Sequence, residues 1–409
     1  MKSCRHCGAE LSRTFADLGM SPLANRYVAP GELSDPEVFY PLIAYVCDSC
    51  LLVQLPPTVD PETLFSDYAY FSSYSDSWLE HSRQYAGQMI QRFGLDASSL
   101  VMELASNDGY LLQYFAGAGI PVLGIEPAAN VAEAAEAKGI PTLVRFFGEE
   151  TALDLVREGK RANLLAANNV LAHVPDLNGF VKGIEIVLAD GGVATLEFPQ
   201  LLRLIEQNAF DTIYHEHFSY FSFMAVQRVF GAHGLTIFDV DELSTHGGSM
   251  RIYARRTGNQ GEPVSTRVEA LLERERTAGL DDPETYTAFS EQVVETKRNL
   301  LNLLIALKSD GHSLVGYGAA AKGNTLLNYC GIGPDFLDYT ADRSPHKQGR
   351  FLPGTHVPIH APERIAETRP DYVLILPWNL QDEIVSQLDF IREWGGRFVI
   401  PIPNAQVVE

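Results

Sequence analysis

From about Ser99 the chain falls into a rhythm that few folds can accept: short apolar strand, helix, short apolar strand. Residues 100–104, 122–125 and 142–144 read as strands, with a helix from Leu111 and another over 128–138 between them. Residues 163–167, 192–197 and 235–240 continue the series, and 251–255 reads as a closing strand. Strands that alternate with helices pair in parallel, because each helix carries the chain back across the sheet. The pattern therefore predicts a mostly parallel, doubly wound α/β sheet.

The rhythm returns later. Ser313-Leu314-Val315-Gly316-Tyr317-Gly318 is a strand entering a glycine-rich turn, and 336–339, 372–376 and 398–400 read as further strands of a second, smaller α/β unit. A charged helical tract over 265–308, interrupted at 279–283, joins the two, and its charges make a solvated face. Upstream lie a strand over 40–46, turn-rich stretches with Pro22, Pro30, Gly31 and Pro36, an aromatic, serine-rich run over 68–74, and a helix over 75–93. A length of 409 residues suits two or three domains, and 46% hydrophobic against 20% charged residues is globular composition.

Charge narrows the partners. Lys plus Arg number 31 against 52 Asp plus Glu, a formal charge of −21, which repels nucleic acid and anionic membranes. Neither is expected as a partner, and an anionic ligand needs its own cluster of donors. No apolar run reaches the roughly 18–20 residues that span a bilayer, and no apolar leader opens the chain, so a soluble cytoplasmic protein is expected.

Four of the five cysteines form two C-x-x-C pairs, Cys4/Cys7 and Cys47/Cys50. Two such knuckles supply four thiolates to a tetrahedral soft cation. Four sulfurs leave no open coordination position, so the expected zinc is structural. Cys330 stands alone and reads as packing.

Other motifs gather where strands end. Val101-Met102-Glu103-Leu104-Ala105-Ser106-Asn107-Asp108-Gly109 closes a strand with a carboxylate and turns through small residues into a helix; about twenty residues on, Glu126 follows the next strand. Such a pair suits a nucleoside ligand, with Glu126 on the ribose hydroxyls. The turn has no glycine-rich cradle for a pyrophosphate, and Glu103 faces the site, which favours a cationic nucleoside over a dinucleotide. Asn168-Asn169 to His173 follows another strand. Tyr214-His215-Glu216-His217-Phe218 packs proton-transfer groups too densely for packing alone. It is not H-E-x-x-H, which disfavours zinc-protease chemistry, although His215 and His217 offer a second place for a metal. Thr245-His246-Gly247-Gly248-Ser249 offers small donors in a turn. Gly316 to Gly323 sets backbone amides and Lys322 at a helix start that would hold an anion, or is simply a tight turn; Asp342, Arg343, Lys347 and His356 add candidate contacts.

In this order the motifs resemble the bacterial sugar C-methyltransferases of deoxysugar biosynthesis, across essentially the whole chain. The resemblance implies three parts: a zinc-binding module over 1–74, a class I methyltransferase domain over 75–260, and a long helix with a C-terminal Rossmann-like domain over 261–409. It implies S-adenosylmethionine as methyl donor and a nucleotide-linked 4-keto-6-deoxyhexose, carried by dTDP or GDP, methylated at carbon 3. In the resembling enzymes the residue matching His217 is the base, supported by Glu216, with Tyr214, Tyr68 and His173 lining the pocket. Cofactor recognition falls to Glu103, Asn107, Gly109, Glu126 and Asn168, with Phe146-Phe147 against the adenine. Tyr70, His246, Gly247, Tyr317, Lys322 and Arg343 are expected at the sugar nucleotide. One glycine common in the family's acidic loop is replaced here by Ala105-Ser106. Three distinct domains let a monomer suffice.

Three rival readings stand beside it. Gly316-x-Gly318-x-x-Ala321 matches a dinucleotide turn and suggests a nicotinamide-dependent nucleotide-sugar oxidoreductase, though no Tyr-x-x-x-Lys pair accompanies it. A zinc-ribbon adaptor leaves the His/Glu/Tyr cluster without a purpose. A methyltransferase acting on oxygen or nitrogen needs no ketone.

Overall fold

A computed structural model describes residues 2–59, 72–259 and 261–409, whose strands form three sheets. The first is an antiparallel meander of β1 (Arg13–Ser21), β2 (Tyr40–Val46) and β3 (Val53–Gln54). Its fourth strand comes from far down the chain: β9 (Ser219–Tyr220) pairs antiparallel with β3, Val53 opposite Tyr220.

The second sheet carries the rhythm that begins near Ser99. Helix α1 (Asp76–Phe93) leads into it, capped by Ser75, whose hydroxyl accepts the Trp78 N–H, and ended by Gly94 in the left-handed region. Then come β4 (Val101–Leu104), α2 (Leu112–Gly117), β5 (Val122–Ile125), α3 (Ala129–Ala137), β6 (Thr142–Leu143) and α4 (Glu149–Arg157). After these follow β7 (Ala162–Asn168), α5 (Leu177–Val187), β8 (Leu188–Pro199), α6 (Leu201–Glu206), α7 (Phe223–Ala232), β10 (Leu235–Leu243) and β11 (Ser249–Arg256). Their spatial order is β10-β11-β8-β7-β4-β5-β6. The central strands are buried almost end to end, as a sheet covered on both faces requires.

The expected closing strand does not close the sheet. β11 runs antiparallel between β8 and β10, because residues 244–248 are too few for the crossover that a parallel return needs. The strand order reverses between β4 and β7: β5 and β6 lie on one side, β8 on the other. Open α/β sheets bind ligands at the carboxyl edge of such a switch point.

Helices α8 (Thr266–Thr277) and α9 (Pro283–Ser309) fill the charged tract, broken where expected, with Gly279 at φ 79° and Asp282 accepting the Glu284 N–H at 3.0 Å. The third sheet has β12 (Leu314–Tyr317) at its centre, followed in the chain by α10 (Ala321–Cys330), β13 (Thr340–Ala341), β14 (Ile359–His360), β15 (Tyr372–Ile375), β16 (Arg397–Ile400) and β17 (Gln406–Val408). Residues 336–339 are not a strand. The Gly333 carbonyl accepts both the Phe336 and Leu337 N–H, which curls the chain, and pairing begins at Thr340.

The first sheet is a wedge between the other two. Phe15 of β1 stacks on Phe289 of α9 at 4.6 Å and shares one buried core with Leu326, Val373 and Phe398. Cys47 and Leu52 belong instead to the core of the second sheet, with Leu165, Phe221 and Phe230. Cys330 is buried in packing, as its isolation suggested. Among the described residues no helix is long and apolar enough to cross a membrane.

Candidate functional site

The two knuckles meet. After each C-x-x-C the next residue, Gly8 or Leu51, takes a left-handed φ, and its N–H returns to the carbonyl of the first cysteine at 2.9 and 2.8 Å. The four Sγ atoms lie within 4.8 Å of one another, with Cys4–Cys50 and Cys7–Cys47 each at 3.5 Å. A tetrahedral zinc with Zn–S bonds of about 2.3 Å sets its sulfurs roughly 3.8 Å apart, so the quartet fits that ion. The Gln54 amide donates to Cys4 Sγ at 3.1 Å, and Gln54 lies on β3, so the metal knuckle and the strand that holds β9 are joined.

At the switch point, Glu103 ends β4 with its side chain buried and neither carboxylate oxygen in a hydrogen bond of ordinary geometry. Burial pushes its pKa well above the carboxylate range, and the neighbouring Tyr110 hydroxyl opposes this. Asn168, ending β7, likewise leaves Oδ1 buried and unpartnered. A buried carboxylate beside an unused amide oxygen is the donor-hungry lining that a cationic ligand satisfies.

Residues 105–109 form a tight turn, with Ala105 at φ 52°, Asn107 at φ 49° and Gly109 at φ 75°. A Cβ on Gly109 would sit 3.0 Å from Ile140, so helix α2 starts hard against its neighbour. Glu126 braces the turn: one oxygen accepts the Asn107 N–H and the other the Ala128 N–H, both at 2.9 Å. Burial raises its pKa and these two bonds pull it back. Ser72 N–H caps the Asn107 side chain at 2.9 Å. Glu103, Asn107, Gly109, Glu126 and Asn168 are thus gathered on one sheet edge. The residues fit S-adenosylmethionine: Glu103 and Asn168 for its cationic end, Glu126 for its ribose.

The Phe147 ring is edge-on to Phe180 of α5 at 5.5 Å and close over Gly183, and is part-buried; Phe146 is the exposed member of the pair. Sequence reasoning missed a cluster beside Asn168. Glu197, its register partner on β8, bonds His81 of α1 at 2.9 Å and Arg251 of β11 at 2.7 Å. Burial works against the Glu197 charge, but His81 and Arg251 prevail and hold its pKa low. Trp78 stacks on His81 at 4.9 Å. The signal was present: Glu197, like Glu103, is a carboxylate at a strand's carboxyl end.

The proton-transfer cluster folds around His217. Its Nδ1 lies 2.8 Å from the Thr212 carbonyl. A carbonyl can only accept, so Nδ1 carries the hydrogen in the neutral ring and the basic lone pair belongs to Nε2. Tyr214 packs on the ring at 4.0 Å and His173 meets it edge-on at 4.7 Å. Burial lowers the His173 pKa to about 4, so that ring is neutral at ordinary pH. His215 points away, toward the Pro41 carbonyl at 3.3 Å and the Tyr40 ring. Among the described residues the cysteine quartet is the one group of three or more candidate metal ligands. Glu216 reaches Asn25, whose amide donates at 2.7 Å. Tyr68 and Tyr70, and the His246 side chain, lie outside what the structure describes.

The C-terminal turn is filled from within. A Cβ on Gly318 would lie 2.6 Å from Pro377, and one on Gly316 would lie 2.8 Å from Thr340, so these glycines admit neighbouring strand ends. Asp342 takes the Ala319 N–H at 2.7 Å, and Lys347 donates to the Ala319 carbonyl at 2.9 Å. The chain's own carboxylate thus takes one of this turn's backbone amides. Lys322 faces inward over the Trp378 ring at 5.9 Å, where burial lowers its pKa and the Asp211 charge opposes. Asp211 itself accepts the Trp378 indole N–H at 2.8 Å. Tyr317 is buried, its hydroxyl 3.4 Å from Gln387, while Arg343 is exposed and His356 is engaged by Glu37 at 3.1 Å. Gly247 lines a cleft of about 640 Å³ between the second and third sheets, with Arg203, Trp378 and Asn379.

Comparison with known proteins agrees with this architecture. Residues 244–403 match a family described as the C-methyltransferase C-terminal domain, 78–240 a methyltransferase domain, and 4–65 a candidate zinc binding domain. The chain is 35% identical to the C-methyltransferase NovU of Streptomyces niveus over 405 residues, covering 99% of this chain and 96% of that protein. Among solved structures, an S-adenosylmethionine-dependent methyltransferase from Clostridium acetobutylicum overlaps 44% of this chain and 92% of its own, at 9% identity and TM-score 0.35. The magnesium protoporphyrin IX methyltransferase of Synechocystis overlaps 50% of this chain and all of its own, at 14% identity and TM-score 0.36. With the full-length relative and the family matches together, the chain belongs to the S-adenosylmethionine-dependent C-methyltransferases.

Proposed function

We propose that the enzyme methylates carbon 3 of a 4-keto-6-deoxyhexose linked to dTDP or GDP. The observation that carries this reading is His217: an imidazole whose Nδ1 is held by the Thr212 carbonyl, which fixes the tautomer of its neutral form, and which is packed by Tyr214 and His173. Carbon is a poor nucleophile unless a proton is first removed beside a carbonyl. The ketone at carbon 4 acidifies the hydrogen on carbon 3, and His217 Nε2 takes it. The Thr212 carbonyl then accepts the Nδ1–H of the imidazolium and steadies its charge. Tyr214, His173 and Tyr68 stand as candidate donors to the enolate oxygen, where fixed dipoles lower the barrier. S-adenosylmethionine, when bound, supplies the electrophilic sulfonium methyl that carbon 3 attacks in line.

The three spans divide the work in this reading: 1–74 holds zinc, 75–260 the methyl donor, 261–409 the sugar nucleotide. Lys322 and Arg343 are the candidate cations for the diphosphate, with Tyr70, Tyr317, His246 and Gly247 around the nucleotide. The test is mass spectrometry with S-adenosylmethionine and a panel of 4-keto-6-deoxy sugar nucleotides, dTDP and GDP versions side by side, run also in deuterium oxide without the donor. Gain of one methyl that stays on carbon, with deuterium entering carbon 3 in the donor-free arm, supports the reading. Methylation without exchange moves the acceptor to oxygen or nitrogen.

A further inference from the structure

We infer that Asn25, in the loop between β1 and β2, is a positioning residue that orients the Glu216 carboxyl and favours its charged form, one position before the base His217. This rests on the reading just given and extends it to a segment with no chemistry of its own. The loop is fastened to the third sheet at three points. Asn324 of α10 donates to the Ala24 carbonyl at 2.6 Å, the Tyr27 hydroxyl donates to the Ala319 carbonyl at 2.5 Å, and Val28 exchanges both backbone hydrogen bonds with Phe351. Between these points Asn25 turns the other way and donates to Glu216 Oε1 at 2.7 Å. The Glu216 side is fixed as well: the Phe218 N–H bonds the Ala172 carbonyl at 2.7 Å and β9 follows directly. An amide anchored by one sheet thus meets a carboxylate anchored by another.

Glu216 is buried, which disfavours its charge, and the Asn25 amide offsets this. Tyr27 of the same loop stands near it and the His173 ring reaches the Glu216 backbone; Tyr214 and His217 share its loop, while His215 turns toward Pro41. Asp342 and Lys347 stand behind Tyr27. Among these, Asn25 is the side-chain donor the structure gives to the carboxylate. That donor favours the charged form of a carboxylate one position before the residue that takes the proton.

The experiment compares Asn25→Ala, Asn25→Asp and Asn25→Gln in the full-length, zinc-loaded protein. Infrared titration follows the carboxylic-acid stretch of Glu216, assigned by its loss in Glu216→Gln, and the acid limb of kcat for methyl transfer is measured in parallel. Zinc content and S-adenosylmethionine affinity report on folding. Loss of one hydrogen bond to a charged group should raise both midpoints by about one to two pH units in Asn25→Ala. Asn25→Asp, which sets a second carboxylate against the first, should raise them further, and Asn25→Gln should lie nearest the wild type. Unmoved infrared midpoints overturn the proposal. So does an infrared shift with an unmoved acid limb, for Glu216 then titrates without serving the reaction. If the wild type methylates no sugar nucleotide, the substrate reading falls, and the infrared midpoints alone decide whether Asn25 sets the charge of Glu216.

Discussion

Glu126→Gln puts a number on the cofactor edge. In the wild type both carboxylate oxygens are spoken for by backbone, Oε2 by Asn107 N–H and Oε1 by Ala128 N–H, each at 2.9 Å. A glutamine has the same shape but one acceptor oxygen. Whichever way it turns, its NH₂ faces an N–H, and one bond to a charged acceptor is lost, worth about 1.5–3 kcal/mol. The site is buried, so water does not replace the bond. If the Asn107 side is lost, the left-handed turn under the cofactor loosens. If the Ala128 side is lost, the start of α3 does. If Glu126 also takes the ribose hydroxyls, as the resemblance implies, these meet an amide in place of an anion. Expressed fully in binding, that energy weakens S-adenosylmethionine by roughly 10- to 150-fold.

The assay is isothermal calorimetry of S-adenosylmethionine at pH 8, with thermal denaturation of the free protein to divide the loss between folding and binding. The pH dependence carries its own sign. Burial raises the Glu126 pKa, so wild-type affinity should fall as pH drops through that value, and the glutamine variant should lack this dependence. A variant that binds within about twofold of the wild type at pH 8 would refute the ribose role and leave Glu126 as a brace of the turn.

Three further outcomes follow from the same reasoning. Chelating the metal, or replacing Cys7 by serine, should release the knuckle that Gln54 ties to β3 and β9, lowering the melting temperature and kcat while S-adenosylmethionine affinity survives; metal analysis with calorimetry checks this. Ala105 sits at φ 52°, where an L-residue is strained by roughly 1–2 kcal/mol and glycine is not, against about 0.5–1 kcal/mol of extra chain entropy for glycine. Ala105→Gly should therefore raise the melting temperature by about 1–3 °C by differential scanning calorimetry. Glu275 is buried with its carboxylate on the Phe223 and Met224 N–H groups at the start of α7, and burial raises its pKa to about 7. Above 4.5 the unfolded chain releases a proton that the folded protein keeps, so stability falls as pH rises to about 7, by on the order of 3 kcal/mol; Glu275→Gln should flatten that slope in denaturant titrations.

The sequence was most readable where chemistry depends on spacing along one element. Two C-x-x-C pairs declare a four-thiolate cage before any fold is known, because both knuckles are local turns. That Glu103 and Glu126 share one sheet edge was legible for a similar reason, since the switch point gathers strand ends. What the reading could not supply lay in residues distant in sequence. Gly316-x-Gly318 looks like an anion cradle, and Asp342, more than twenty positions on, takes one of its amides. Phe147 and Phe146 are neighbours with opposite fates, decided by whether α5 offers Phe180 and Gly183 to one of them. The place of β11 inside its sheet is a matter of topology that alternation alone does not encode. Asn25 carries no motif at all, and its role exists because two sheets bring it to Glu216.

That last case bears on what a zinc knuckle does for the segment that carries His217. The segment from Asp211 to Tyr220 is held by all three sheets at once. Asp211 accepts from Trp378 and Ile213 from Thr325 on the third-sheet side; Phe218 bonds Ala172 beside the second; Glu216 takes Asn25, and β9 joins β3, on the first. Within that segment the Thr212 carbonyl fixes the tautomer of His217. A loop of ten residues has too little core to hold a ring in one orientation, and its order must come from what it is fastened to. The first sheet is short, with a two-residue strand on either side of the β3–β9 junction, and a sheet so small needs a staple. The zinc cage stands at that junction through Gln54. The link it makes is mechanical: it ties down β3, β3 pairs with β9, and β9 ends the loop that carries His217.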